Sequence, residues 1–441
     1  MLLRLIAENL TSFKEAVEFN TFPSSKSHSH ENHKITCGHA TALRMSAIYG
    51  ANGAGKSNLL AILTVLKWMV EAEGLRSIVF HDDLRFKFDK SCESKPSGIA
   101  IEFYQNDNVF YYHVEFDRYE VLLEELYLSK KTKDVKLFVR NQSDIQMNGD
   151  FVKKGLNDQF LDALDRLVRS DMLLLSFLGK YYSTEIPLVT DAYSWFIDTL
   201  KIVLPSTLMG IEPHLIDKDP VFRDLVNSTI PELKTGISRI TVHKEVLNED
   251  NVKSNSELYQ IAKDAKQHPN EPQVYVREHD VVANVVFEDG VLYLKKLVSI
   301  HSSLDGSEVE MPLMQESDGT RRLLEYMPVL YAVIQENKVY AIDEIERSIH
   351  PIMIKDIVRK LSESTTAKGQ LIFTTHESGL LDQNIFRPDE IWFAQKDAEQ
   401  ATQLYPLSDF NIHKTANIEN GYLNGRYGGI PFLSNLKDLH W

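Results

Sequence analysis

The pattern of apolar and polar residues changes several times along the chain. Near the N-terminus the two kinds alternate, which predicts two short strands that meet in the turn from Asn9 to Ser12. A third strand ends at Tyr49, and the apolar stretch 58–70 behind it is typical of a buried helix. Residues 98–140 alternate again and are rich in aromatic side chains, which predicts an antiparallel β lobe.

The middle of the chain changes to a helical pattern. Between residues 155 and 235 the clearest helical segments are 161–168, 172–182 and 193–204. Residues 244–272 are charged and rich in asparagine, so we expect them to form a solvated excursion. Strand patterns return from 273 to 314.

The last third of the chain alternates strands and helices. Strands are predicted at Val339–Ile342, Gln370–Thr374 and Ile391–Ala394, and a helix is predicted at 351–363. This alternation indicates an α/β fold with a parallel sheet. The sequence shows no internal repeat and no heptad run long enough for a coiled-coil arm.

Composition narrows the class of protein. The chain has 441 residues, 43% of them hydrophobic, which suffices for two or three folded domains. Its formal net charge of −15 argues against a strongly basic nucleic-acid surface. The two cysteines are too few for a disulfide framework, and the sequence contains neither a signal-peptide core nor a membrane-spanning run. We therefore expect a cytoplasmic protein that does not enter a membrane.

A loop rich in histidine invites comparison with zinc sites. It contains His28, His30, His33, Cys37 and His39, but their spacings match no standard zinc motif. A mobile surface loop is the expected structure, and a metal site is the alternative.

The segment GANGAGKS, residues 50–57, has the spacing of a phosphate-binding loop and lies between a predicted strand and a predicted helix. In such loops backbone N–H groups and the helix N-terminus bind phosphate, Lys56 reaches the β and γ phosphates, and Ser57 ligates Mg²⁺. A glycine-rich turn without a ligand is the alternative for the loop alone. The predicted nucleotide contacts come from Gly50, Asn52, Gly53, Ala54, Gly55, Lys56 and Ser57.

Acidic residues and a histidine follow two later strands. Asp343 and Glu344 come directly after Val339–Ile342, at the strand end where α/β sheets bind ligands. We predict that Asp343 holds Mg²⁺ and that Glu344 orients or deprotonates the attacking water. His376 follows the next strand, where it can contact the γ-phosphate. Together with the phosphate loop, these residues predict an ATPase that uses ATP and Mg²⁺.

The segment ESDGT before a helical pattern has two interpretations. Ser317 and Gly319 at a helix N-terminus offer a hydroxyl, free N–H groups and a favourable dipole to an anion. Ser317 can also be a simple helix cap. Arg321 and Arg322 either help to neutralise phosphate or face solvent.

The order of these motifs resembles that of the ABC-type ATPases of the RecF and SMC group, in which a strand lobe and a helical region separate the phosphate loop from the acidic strand. The segments ESDGTRRLL, AIDEIERSIHP, TTHESGLLD and GYLNGRYGGIPF are similar to those of AbiL-type (RloA-like) ATPases of bacterial abortive infection. Those proteins are similar in turn to the ATPase subunit of PARIS anti-phage defence. One departure is Thr11, where related ATPases often have arginine.

The resemblance implies an ABC-type phosphate-loop NTPase with an antiparallel β lobe and an inserted helical domain. We expect an N-terminal ATPase part at 1–97, the β lobe at 98–140, the helical domain with its polar excursion at 141–272, and a C-terminal ATPase part at 273–441. It also implies that Ser317 and Gly319 form a signature that contacts the ATP of a second copy.

The resemblance further implies a homodimer around ATP, with rings of dimers as a larger option, and a loop at 346–348 that crosses the dimer interface. Too few residues follow His376 for the nuclease domain that some relatives carry there. We therefore expect an anti-phage sensor that controls a TOPRIM-type or other nuclease in trans and responds to a phage-encoded trigger. The alternative is a DNA-maintenance ATPase that binds nucleic acid directly.

Overall fold

The computed structural model describes residues 1–72, 75, 84–149, 160, 163–207, 213–248, 252, 255–277, 280–413 and 416–430. The chain forms two compact units. The first unit comprises Met1–Leu204, Gln335–Ile345 and Val358–Trp441, and the second comprises Pro205–Ile334 and Glu346–Ile357. The two units are defined by compactness and do not test the four segments predicted from the sequence. Those segments remain a prediction.

The described elements are as follows. The strands are β1 (Leu2–Glu8), β2 (Val17–Asn20), β3 (Lys34–Cys37), β4 (Ala40–Leu43), β5 (Met45–Tyr49), β6 (Ser97–Gln105), β7 (Asn108–Phe116), β8 (Val121–Ser129), β9 (Val135–Asn141), β10 (Asp144–Met147), β11 (Leu200–Val203), β12 (Ile237–Val246), β13 (Gln273–Arg277), β14 (Asp280–Glu288), β15 (Val291–Ser302), β16 (Glu308–Pro312), β17 (Val339–Ile342), β18 (Gln370–Thr374), β19 (Ile391–Lys396) and β20 (Thr402–Pro406). The helices are α1 (Lys56–Glu71), α2 (Leu164–Leu167), α3 (Leu174–Tyr181), α4 (Pro187–Ser194), α5 (Pro213–Lys218), α6 (Pro220–Thr229), α7 (Ser256–Gln267), α8 (Asp318–Gln335), α9 (Pro351–Glu363) and α10 (Ile418–Leu423). None of these described helices combines the length and apolar character that a membrane crossing requires.

A six-stranded sheet forms the centre of the first unit. Its order is β11-β17-β18-β5-β19-β20, and every neighbouring pair is parallel except β19 with β20. The residues of β5 and β18 are all buried, which explains why both strands are largely apolar, because strands of a parallel sheet are covered on both faces. The predicted bounds of β17 and β18 are confirmed.

The predicted antiparallel lobe is also confirmed. A seven-stranded sheet in the order β10-β9-β8-β7-β6-β1-β2 belongs to the first unit. Its inner face shares a hydrophobic core with α1, α3 and α4. At the centre of that core the rings of Phe103 and Trp195 are stacked with their centroids 4.5 Å apart.

Two predictions of local structure were wrong in part. Residues 193–204 were expected to be helical, and residues 193–199 are, as the end of α4 and the π-helical turn Trp195–Thr199. Leu200–Val203 instead forms β11, which pairs in parallel with β17. A short apolar run has no period that separates helix from strand, and here pairing with a distant strand decides. Part of the expected solvated excursion is the amphipathic helix α7, which buries Leu258, Ala262 and Ala265 and is capped by Asn255.

The second unit is built on a smaller antiparallel sheet, β12-β15-β14-β13, with β16 added to β15. Residues of α5, α6 and α8 share a hydrophobic core with β12 and β15. Asp219 caps α6 and accepts a hydrogen bond from Tyr331 at 2.7 Å. Helix α8 includes Pro328 within its bounds.

The histidine-rich loop is anchored by a buried side chain rather than by a metal cluster. His33 is 1% exposed, and its ring lies 2.9 Å from the Glu390 carboxylate and 2.9 Å from the Ser362 carbonyl oxygen. Burial raises the pKa of Glu390, and the hydrogen bond from His33 opposes that rise. Within the described part of the chain, no group of three or more His, Cys, Asp or Glu residues could hold a metal ion.

Gly179 permits the close packing of α3 against α4. A Cβ at this position would lie 2.3 Å from Cγ of Tyr193. We expect Gly179→Ala to destabilise the protein by about 1–3 kcal/mol through overpacking, which exceeds the ~0.5–1 kcal/mol that alanine gains in a helix. Chemical denaturation of the full chain measures the difference.

Gly98→Ala provides the matched control for this substitution. A Cβ at Gly98 would find its nearest neighbour, Cβ of Glu8, 4.0 Å away. This variant should unfold at the wild-type denaturant concentration or slightly above it. Equal stability of Gly179→Ala and the wild type would contradict the packing argument.

Candidate nucleotide site

The phosphate loop starts where β5 ends and leads directly into α1. Gly55, the residue before α1, has φ 102°, a conformation that side chains disfavour. A Cβ there would lie 2.1 Å from Oγ1 of Thr402 and 2.8 Å from Oγ of Ser12. Both backbone angle and space therefore require glycine at this position of the motif.

Lys56 lies inside the loop that precedes it. Its side chain is buried, and Nζ donates hydrogen bonds to the carbonyl oxygens of Gly50 at 2.7 Å and Ala51 at 3.1 Å. Nδ1 of His376 is 3.5 Å from the same Nζ. The ends of β5 and β18 thus bring these two predicted site residues together, as expected of neighbouring parallel strands.

Ser57 and Asp343 connect the loop to the acidic strand. The Ser57 hydroxyl donates to Oδ1 of Asp343 at 3.1 Å, across 286 positions of sequence. Asp343 is 4% exposed. A hydroxyl and a carboxylate are oxygen ligands of the kind that Mg²⁺ prefers, so this pair fits the predicted metal position.

Glu344 has an unusual backbone conformation. Its φ is 52°, in the left-handed region that residues other than glycine rarely adopt. Such conformations cost free energy and concentrate at functional sites. Here the conformation accompanies a side chain that lines the cleft beside the phosphate loop.

One cleft collects most of the predicted residues. Its volume is about 260 Å³, below the roughly 300–1,000 Å³ of pockets that enclose whole ligands. Ala54 and Asp343 are buried next to the lining residues rather than among them. The cleft is lined by Asn52, Gly53, Gly55, Lys56, Ser57, Asn58, Glu344 and His376, all of the first unit.

The predicted signature belongs to the second unit. Ser317 caps α8, because its Oγ accepts the N–H of Thr320 at 3.2 Å and its carbonyl oxygen accepts the N–H of Arg321 at 2.9 Å. A Cβ on Gly319 would lie 3.0 Å from the carbonyl oxygen of Ser348. The cap is therefore present within one chain, and the contact with a second copy's ATP stays a prediction.

The two arginines after the signature have acidic neighbours in their own helix. Arg321 pairs with Asp318 at 2.6 Å, and Arg322 pairs with Glu325 at 3.0 Å while lying over the ring of Tyr326. Burial raises the pKa of Tyr326 to about 12. Arg322 is buried and therefore does not face solvent, whereas the ion pair of the more exposed Arg321 does not decide between its two interpretations.

Several polar residues of the site were not predicted from the sequence. Oγ of Ser12 accepts a hydrogen bond from Nδ2 of Asn58 at 2.7 Å, and the Thr402 hydroxyl donates to the carbonyl oxygen of Ala54 at 2.9 Å. Thr374 contacts both acidic residues. Of these residues, only the threonine pair before His376 could have been noticed in the sequence, because its polar side chains come at the end of an apolar strand.

A protein-family model described as "AAA domain, putative AbiEii toxin, Type IV TA system" matches residues 45–186 and 213–382, more than half of the chain. No curated protein matches the chain.

Solved structures of SMC heads are similar at low identity. The SMC head bound to the C-winged helix domain of ScpA is 13% identical, with 92% of this chain and 97% of that chain covered and a TM-score of 0.42. The SMC head domain from Thermotoga maritima is 14% identical, with coverage of 93% and 99% and a TM-score of 0.37. An SMC head with an extended coiled coil, bound to the C-terminal domain of ScpA derived from Pyrococcus furiosus, is 14% identical, with coverage of 96% and 98% and a TM-score of 0.38. These TM-scores are too low to support an argument.

The family match agrees with the sheet, the β lobe and the phosphate loop. Together they confirm the predicted α/β fold of a phosphate-loop NTPase with an antiparallel β lobe, and a nucleotide-binding ATPase domain. The chain belongs to the family of AAA domains that this model describes.

Proposed function

We propose that this protein hydrolyses ATP with Mg²⁺ and thereby controls a toxic effector of an anti-phage defence system. The observation that carries the ATPase part is the hydrogen bond from Ser57 to Asp343 beside a cleft lined by Lys56, Glu344 and His376. Phosphoryl transfer depends on positioning and on compensation of charge. These residues supply both.

Each residue has a distinct role in this proposal. The N–H groups of the loop and Nζ of Lys56 bind the β and γ phosphates. Ser57 and Asp343 would hold Mg²⁺, which when bound offsets the negative charge of the phosphates. Glu344 orients the attacking water and accepts its proton. His376, 3.5 Å from Lys56, contacts the γ-phosphate.

We infer that two copies enclose ATP between them. The cleft of about 260 Å³ suits the phosphate chain rather than a whole nucleotide. Ser317 and Gly319 of a second copy would complete it with a hydroxyl and N–H groups at a helix N-terminus. ATP would then favour the closed dimer, because it contacts both copies only in that state.

The effector part of the proposal rests on the family description, which associates these domains with abortive-infection toxins and toxin–antitoxin systems. The resemblance to AbiL-type ATPases and to the PARIS ATPase subunit agrees with it. We propose a TOPRIM-type or other nuclease encoded in trans as the effector, a phage-encoded trigger, and a cytoplasmic location.

Expression in a bacterial host tests this assignment. We expect the chain alone to be harmless, and the chain with its neighbouring effector gene to stop growth upon infection. Lys56→Ala should abolish that response, because phosphate binding is lost, while the control Lys263→Ala, an exposed lysine of α7, should preserve it. Toxicity of the chain alone would contradict a purely regulatory role.

Nucleic-acid binding distinguishes this role from that of a DNA-maintenance ATPase. A gel-shift with ATP, no partner and about 150 mM salt should show no tight complex, because the net charge of −15 disfavours phosphate contacts. Tight DNA binding under these conditions would favour the alternative.

A further inference from the structure

Thr374 is the last residue of β18 and is fully buried between the two acidic residues of the site. Its hydroxyl donates to Oδ1 of Asp343 at 2.5 Å. Oγ1 of Thr374 also accepts a hydrogen bond from the backbone N–H of Glu344 at 2.8 Å. One hydroxyl group therefore contacts both acidic residues of the proposed site, the Mg²⁺ ligand Asp343 and the general base Glu344.

The contact with Asp343 limits the freedom of its carboxylate. Oδ1 accepts two hydroxyl donors, Thr374 at 2.5 Å and Ser57 at 3.1 Å. Hydrogen bonds to a charged oxygen are short and strong, and the branched side chain of threonine has few rotamers. Thr374 consequently fixes the orientation of the Asp343 carboxylate relative to Ser57.

The contact with Glu344 supports a costly backbone conformation. The φ of 52° at Glu344 is one that its surroundings must maintain. Thr374 holds it from both sides, since its Oγ1 accepts the Glu344 N–H and its carbonyl oxygen accepts the N–H of Ile345 at 3.1 Å. The turn that directs Glu344 to the cleft is thus fastened to β18.

The adjacent threonine shows what a purely local role looks like. Thr375 is also fully buried, but its Oγ1 accepts the N–H of Glu377 at 3.0 Å. None of its described hydrogen bonds goes to Asp343 or Glu344. Two neighbouring buried threonines therefore differ in the property at issue, contact with the acidic pair.

We propose that Thr374 is a positioning residue that orients Asp343 toward the divalent cation and Glu344 toward the attacking water. This inference rests on the proposed ATPase function. Groups that support metal ligands through hydrogen bonds typically change metal affinity or activity by 10–100-fold when removed.

The test compares Thr374→Val, which keeps the shape and removes the hydroxyl, with Thr374→Ser, which keeps the hydroxyl. Thr375→Val is the matched control. Binding of Mn²⁺, as a substitute for Mg²⁺, is measured by electron paramagnetic resonance on the full chain with a non-hydrolysable ATP analogue. ATP hydrolysis is measured in parallel.

We expect Thr374→Val to weaken Mn²⁺ binding by at least about 10-fold and to lower kcat by about 10–100-fold. Thr374→Ser should recover both quantities to within roughly 3-fold, and Thr375→Val should stay near the wild type, because the hydroxyl rather than the packing carries the effect. Thr374→Ala is measured as well, so that the result does not depend on the folding of one variant.

The outcomes separate the inference from the function on which it rests. If the wild type binds Mn²⁺ but hydrolyses no ATP, the proposed function fails and the Mn²⁺ affinities still judge Thr374. Wild-type Mn²⁺ affinity in Thr374→Val or Thr374→Ala overturns the inference, as does an equal loss in Thr375→Val.

Discussion

Glu344→Gln is expected to lower the rate of ATP hydrolysis by about 10²–10⁴-fold, the usual contribution of a general base. The amide keeps the size of the side chain and lines the same cleft, but it cannot accept a proton from water. The hydrogen bonds from Lys56 to the loop carbonyl oxygens, and those from Ser57 and Thr374 to Asp343, use no atom of the Glu344 side chain. ATP binding should therefore persist and hold the dimer closed.

Phosphate release measures the rate, and light scattering after size exclusion with ATP measures the dimer. Glu363→Gln is the matched control, because Glu363 is an exposed carboxylate at the end of α9 that takes no part in the cleft. Unchanged turnover in Glu344→Gln would refute the assignment of the general base. Loss of ATP binding would instead show that the carboxylate is needed to form the site.

A mixture of Lys56→Ala and Ser317→Arg chains should regain hydrolysis that neither variant has alone. Lys56 is predicted to act on the ATP bound to its own chain, and Ser317 on the ATP of its partner. In a twofold-symmetric dimer of one chain of each kind, one site carries both changes and the other carries none. Because half of the random dimers are mixed and each has one intact site, we expect about a quarter of the wild-type rate.

Native mass spectrometry shows whether mixed dimers form, and thermal unfolding shows whether Ser317→Arg folds after losing its cap, a loss that costs about 0.5–2 kcal/mol. If folded mixed dimers form but regain no ATP hydrolysis, Ser317 acts only as the cap of α8 within its own chain. Full hydrolysis by Ser317→Arg alone would have the same consequence.

The central part of the site could be predicted because its signals are local. The loop Gly50–Ser57, Asp343–Glu344 and His376 each follow a short apolar strand, and parallel strands end at a common edge. The apolar runs of β17 and β18 are continuous because these strands lie inside the sheet. The bounds of these two strands could therefore be predicted from the apolar runs in the sequence.

The remaining features depend on contacts between distant parts of the chain. Leu200–Val203 becomes a strand only because it pairs with β17. Thr374 and Thr402 differ from other buried threonines only in the atoms they meet, Oδ1 of Asp343 and the carbonyl oxygen of Ala54. No spacing in the sequence announces such hydrogen bonds.

The position of β5 in the sheet also has a consequence for synthesis of the protein on the ribosome. Both of its neighbours, β18 and β19, come from the last part of the chain. At about 5–20 residues per second, translation from Tyr49 to Gln370 takes on the order of tens of seconds. Throughout that interval the strand that carries the phosphate loop lacks its native partners. A nascent chain, or one that terminates before β18, therefore cannot assemble the candidate nucleotide site.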